Sequence, residues 1–182
     1  MKLTIKKSHV LVFFISAIVS FTMNAQVGGW KPELTKDSKA ALNKMIEANP
    51  DLKTFYNEAY GYAIFPKITK GGLGVGGAVG KGVVFKDHKP VGSASLKQAT
   101  FGLQAGGQQY SEVIFFENKE AFDNFTNGKL KFDAQASAVA IKKGISLDLA
   151  YKNGVAVFTK AKGGLMYEAS IGGQHFKYEP IE

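Results

Sequence analysis

Residues 67–82 read KITKGGLGVGGAVGKG, and no other stretch of the chain restricts its fold as strongly. Glycine loses more backbone entropy on folding than any other residue, about 0.5–1 kcal/mol relative to alanine in a regular element. Such a run persists where something approaches the backbone closely. Gly72, Gly74 and Gly77 satisfy G-x-G-x-x-G, a phosphate-binding fingerprint only where it follows a strand and opens a helix. Here a period of two continues through the match. Leu73, Val75, Val79, Val83 and Phe85 share one parity, and Gly72, Gly74, Gly76, Ala78, Gly80 and Gly82 share the other. Period two is a strand signal. The Walker pattern fails as well, because Gly82 follows Lys81 where Ser or Thr is required. The segment reads as a strand or hairpin with one apolar face and one nearly bare face, the bare face admitting a close neighbour and sharp coiling of the sheet.

The first 25 residues form a separate object. Lys2, Lys6 and Lys7 precede an apolar run from Val10 to Phe21, and TMNAQ follows with small Ala25. Twelve helical residues span about 18 Å, against a hydrocarbon core of about 30 Å. The order basic, apolar, small is that of a secretory signal peptide cut at Ala25–Gln26. Residues 26–32 are a flexible lead, and residues 33–182 are expected to form one domain. Export to a periplasmic or secreted location follows.

The chain has no cysteine, hence no disulfide, thiol nucleophile or cysteine metal site. Its formal charge is +8, and removing the three leader lysines leaves 8 − 3 = +5. All basic residues are lysine. Without arginine forks, specific nucleic-acid recognition is disfavoured. A lysine surface suits a less directional attraction to anions such as lipid headgroups. His88 and His175 lack ligand-spaced partners, and GSAS at 92–95 is not a nucleophile elbow. No cofactor, metal site or catalytic residue is indicated, and the chain reads as non-enzymatic.

Periodicity predicts a helix over 33–48, a second capped by Asn49 with Pro50 at its first position and Asp51 in its first turn, running to about Tyr60, and a third over 119–126 capped by Asn118. The remainder reads as short strands and glycine turns, and it repeats. GYAIFPKITKGGL (61–73) resembles GVAVFTKAKGGL (154–165), the first copy being one residue longer; QAGGQQY (104–110) resembles SIGGQHFKY (170–178). The expected fold is α+β, with N-terminal helices packed on a glycine-rich antiparallel sheet built from related hairpins. Gly71, Gly72, Gly74, Gly76, Gly77, Gly106, Gly107, Gly163, Gly164, Gly172 and Gly173 are assigned to packing, with Gly74 and Gly76 expected at close contacts.

The blocks YGYAIFPKITKGGLGVGGAVGKGVVF, QAGGQQYSEVIFF, ASAVA and GVAVFTKAKGGLMYEASIGGQ, in that order, resemble the SYLF domain. The resemblance covers about 33–180. It implies a non-enzymatic module that binds phospholipids, phosphoinositides in particular, with actin binding in some eukaryotic members. Here the domain stands with a leader and no SH3 or FYVE companion, which suggests a free-standing exported form in a bacterial envelope. Eukaryotic members place a basic amphipathic helix before the domain, where this chain has QVGGWKPELTKDSK. The expected partner is an anionic phospholipid or membrane surface; the alternative is a protein-interaction or structural module that assembles through its glycine hairpins. The candidate lipid contacts are Lys67, Lys70, Lys160 and Lys162, carried just before Gly-Gly in each repeat, with Trp30 as an interfacial aromatic. Lysines near 129–131 and 142–143 are the next candidates.

Overall fold

The computed structural model of the protein describes residues 30–130, 132, 137–140, 151–161, 169–170 and 173–181. The leader, Lys131, Lys142, Lys143, Lys162, Gly163, Gly164 and Gly172 lie outside the described residues. The fold is α+β. Helices α1 (Pro32–Ala48), α2 (Leu52–Glu58) and α3 (Lys119–Thr126) accompany strands β1 (Gly61–Lys86), β2 (Lys89–Phe116), β3 (Ser137–Ala140), β4 (Val155–Ala161), β5 (Ala169–Ser170) and β6 (Gln174–Pro180).

Two strands dominate. β1 and β2 form one antiparallel ribbon from Gly61↔Phe116 to Lys86↔Lys89. It closes through Asp87 (φ 49°) and His88 (φ 59°), the paired positive φ values of a type I′ hairpin turn. The ribbon is longer than sequence periodicity suggested, because it does not lie flat. Leu73 pairs with Ala105 and Gly74 with Gly102, so β2 carries two extra residues at the ribbon's middle. A bulge bends and coils its strand, and here the turn end of the ribbon comes back over its base. A Cβ on Gly82 would lie 2.4 Å from the Ile64 carbonyl oxygen, and one on Gly80 would lie 2.7 Å from Ile68 Cγ1. Tyr62 stacks on Phe85 with ring centroids 5.0 Å apart.

The bare face of the glycine run is therefore where β1 meets itself. The tightest contacts fall at Gly82, Gly80, Gly61 and Gly92, the last beneath the Tyr178 ring. Of the glycines assigned to packing from sequence, Gly77 has the Gln98 carbonyl oxygen at 3.1 Å from a built Cβ, whereas at Gly107 the nearest atom is at 3.8 Å.

β2 then serves both halves of the folded ribbon. Its Gly92–Gln98 segment pairs with β6, and its Tyr110–Phe116 segment pairs with β4. β3 joins β4 in parallel and β5 joins β3. Two apolar layers result. Leu42, Met45, Leu52 and Phe55 of α1 and α2 cover Tyr62, Ile64, Val83, Phe85, Val113, Phe115 and Phe158. On the opposite face, Phe65, Ile68, Val84, Leu96, Ile114 and Phe116 pack with Phe122 and Phe125 of α3. Alternation along β1, β2 and β4 divides their residues between these two layers. α3 keeps its predicted bounds because its start is local: Asn118 Oδ1 accepts from the Ala121 N–H at 3.0 Å.

Candidate functional site

α1 leaves a groove along one flank. Its buried stripe is Ser38, Leu42 and Met45. The neighbouring stripe, Leu34, Asp37, Ala41 and Lys44, looks into a space of about 700 Å³. Opposite lie Pro66, Lys67 and Thr69 from the first half of β1, Val79, Gly80 and Lys81 from its second half, and Ser95, Leu96, Lys97 and Ser111 from β2.

The helix that forms this wall is fixed at two levels. Ser38 Oγ donates to the Ile64 carbonyl at 3.4 Å, and Lys160 Nζ donates to the Lys44 carbonyl at 2.6 Å. The strand side is shaped by an irregularity. Phe65 pairs with Glu112 and Ile68 with Tyr110, so Pro66 and Lys67 oppose Ser111 alone. Proline lacks the N–H that a regular ladder needs and is at home in a bulge. The Pro66 carbonyl accepts from Ser111 Oγ at 2.8 Å. The bulge changes the strand's parity. Ile68 remains in the inner core beside Phe65, while Lys67 and Thr69 turn to the groove.

Charge gathers on one side of this space. Lys44, Lys67, Lys81 and Lys97 line it and are all exposed, with Asp37 the one acid among the lining residues. Three of the four sit around a single cross-strand pair, Gly80↔Leu96. Lys81 and Lys97 are the next residues on the two strands, and the Lys67 carbonyl lies 3.4 Å from a Cβ built on Gly80. Val79 stands beside them, 59% exposed. The lining is thus apolar with a cationic border.

Of the residues proposed from sequence, Lys67 is in the groove. Lys70 is half-buried further along β1 and is not part of its lining. Lys160 reaches the helix side of the sheet but is engaged by the Lys44 carbonyl. Trp30 is exposed just before α1, its Nε1 donating to Thr35 Oγ1 at 2.9 Å. Lys44, Lys81 and Lys97 were not anticipated. One signal was available for Lys81: it occupies the same parity as Val79, Val83 and Phe85, a charge on the apolar face of a strand. For Lys44 and Lys97 the groove exists only once α1 lies across the folded ribbon.

A second polar group is sealed in the inner layer. Glu112 is fully buried, and its Oε2 accepts from Gln174 Nε2 at 3.1 Å. Its Oε1 has no partner among the described residues, nor has the hydroxyl of Thr159, which faces it across the ladder. Burial pushes the Glu112 carboxyl up to about 7, and the Gln174 hydrogen bond offsets part of that rise. Tyr110, two residues away, is also raised by burial and by the Glu112 charge.

With this geometry in view, residues 97–179 match the family described as Ysc84, Las17-binding protein actin regulator. The matched region runs from the groove residue Lys97 through α3, β4 and most of β6. Over it, the chain is similar to the SYLF family. The chain is also 30% identical over 155 residues to "Beta cell expansion factor A" of Aeromonas veronii, an alignment covering 80% of this chain. It spans 59% of the length of that curated relative. SYLF domains are a family of lipid- and actin-binding modules.

Proposed function

We propose that this SYLF-like domain is a non-enzymatic module that binds anionic phospholipid, phosphoinositide or other acidic headgroups, acting peripherally at an envelope membrane after export. The observation that carries the reading is the lysine cluster around Gly80↔Leu96 beside the exposed Val79. Exposed ammonium groups contribute about 1 kcal/mol each toward an anionic surface, and an apolar side chain among them can enter the interface. Trp30 at the start of α1 adds an amphipathic ring.

Vesicle pelleting tests this. The protein should sediment with phosphatidylglycerol or phosphoinositide vesicles and not with phosphatidylcholine. Binding should weaken as the Debye length contracts from about 10 Å at 0.1 M salt toward 3 Å at 1 M. The triple change Lys67→Glu, Lys81→Glu, Lys97→Glu should abolish it. Equal sedimentation with neutral vesicles, or persistence in the triple variant, would overturn the reading. Export is tested by the intact mass of secreted protein, expected to begin at Gln26.

The family's description as an actin regulator favours a second reading, a protein-interaction module. Actin-filament cosedimentation in the absence of any vesicle binding would put that reading first.

A further inference from the structure

The lysine cluster accounts for adhesion to an anionic surface, but it does not account for the hollow beside it. A flat patch would adhere as well. Here the wall is preformed, because α1 is held to β1 through Ser38 and to β4 through the Lys160 contact with Lys44. Space that is already open does not have to be opened by its occupant, which favours small-ligand binding. The volume of about 700 Å³ falls within the range of small-molecule sites, about 300–1,000 Å³.

The shape is informative too. From Leu34 to Lys44 the groove follows ten residues of helix, about 15 Å at the α-helical rise. That is about half of a 30 Å hydrocarbon core, the reach of one acyl chain. Leu34, Ala40, Ala41 and Val79 offer this chain an apolar path, and Lys67, Lys81 and Lys97 cluster beside it.

We infer that the groove takes the tail of a free long-chain carboxylate, with its head group held by the lysines around Gly80↔Leu96. This rests on the acidic-lipid reading above and narrows it. The ligand is a monomeric fatty acid drawn from solution or from a leaflet, and the domain carries it as well as adhering to membranes.

The test uses the mature chain from Gln26 and cis-parinaric acid, a fluorescent fatty acid, below its self-association concentration and without vesicles. Saturable binding at one per chain is expected. Ala40→Trp should fill the groove from an exposed helix position and weaken binding at least tenfold. Thr69→Trp, from the strand side, should do the same, and thermal unfolding of both confirms that they fold. The neutral methyl ester should bind at least tenfold more weakly than the acid, and Lys67→Gln with Lys97→Gln should erase that preference. Absence of saturable binding, equal binding of acid and ester, or insensitivity to both tryptophans would overturn the inference. So would binding of lysophospholipid but not of the fatty acid. Wild-type pelleting with anionic vesicles is measured alongside. Pelleting without fatty-acid binding leaves membrane adhesion standing and removes the carrier role; absence of pelleting removes the parent reading.

Discussion

β1 and β4 carry the same sequence pattern and lie on opposite sides of β2, yet they use it differently. The ladder aligns Ile64, Val113 and Phe158 in one row and Phe65, Glu112 and Thr159 in the next. Phe65 and Phe158, matching residues of the two repeats, therefore face opposite layers, Phe65 inward and Phe158 toward the helices. The repeat is not a face-for-face duplication. It tolerates the one-residue offset because both faces of these strands are buried, so alternation need not be kept. The lysines do need a particular face. In β4, Lys160 reaches the helix side by plain alternation from Phe158. In β1, the same spacing would send Lys67 into the core, and the bulge at Pro66–Lys67 turns it back. The correction is made by the bulge alone, since Phe65–Lys67 and Phe158–Lys160 have the same spacing in sequence. The two lysines then part in role: Lys160 ties down α1, and Lys67 enters the groove that α1 walls.

The largest effect is expected where β1 does what β4 does not, folding over on itself. Gly82→Val would drive its side chain into the Ile64 backbone, which cannot swing aside as a flexible side chain can. A loss of about 3 kcal/mol, the upper range for overpacked sites, is expected. Gly107→Ala, with its nearest neighbour at ordinary contact distance, should stay within about 0.5 kcal/mol of the parent. Chemical denaturation of both variants checks this. Equal midpoints would mean that the ribbon's halves do not pack as described.

How far the sequence could go is visible in the same two strands. Locally encoded features were legible: the Asn118 cap, the 119–126 helix, the period of two through the glycines, and the α+β class. The bulge left no mark in the repeat, because Phe65-Pro66-Lys67 and Phe158-Thr159-Lys160 have the same length. Its meaning depends on what lies across the ladder, and Ser111 is distant in sequence. The close contacts at Gly80 and Gly82 were not anticipated, because the position of contact is set by where the ribbon bends. Gly80 and Gly82 are tight because they return to Ile68 and Ile64. The groove was illegible for a related reason. Lys81 and Lys97 come together through the β1–β2 register, and Lys44 joins them through helix docking, so no linear spacing relates them.

The next effect concerns the residue lying between the two strands. Glu112 pairs with Phe65 on one side and Thr159 on the other, in the dry inner layer. Its carboxyl rises from 4.5 to about 7 on folding, so between those values the folded protein holds a proton that the unfolded chain has released. Stability from this group is complete below pH 4.5, declines as pH rises, and is lost above about pH 7. The span is on the order of 3 kcal/mol at 1.36 kcal/mol per unit. Glu112→Gln should remove this decline, so the difference between parent and variant unfolding free energies should change between pH 4.5 and 8. Parallel pH profiles would show that the carboxyl does not titrate in that window.

The smallest effect bears most directly on the comparison. Lys160→Met removes a charged donor from the Lys44 carbonyl and should cost about 1 kcal/mol of stability, since that hydrogen bond is made in water-accessible surroundings. Lys67→Met removes an exposed ammonium group and should change stability by no more than about 0.5 kcal/mol. Affinity for anionic vesicles should rank the other way. Lys67→Met should lose about 1 kcal/mol, roughly fivefold, while Lys160→Met loses less because its ammonium is already directed at the helix. Thermal unfolding and vesicle titration of the two variants, side by side, give four numbers whose crossing pattern is the expected result. If both lysines moved stability and affinity together, the repeats would be equivalent in function and the bulge would have no bearing on where Lys67 points. If the crossing is seen, one bulge has given one copy of a repeated motif a binding role and left the other to support it.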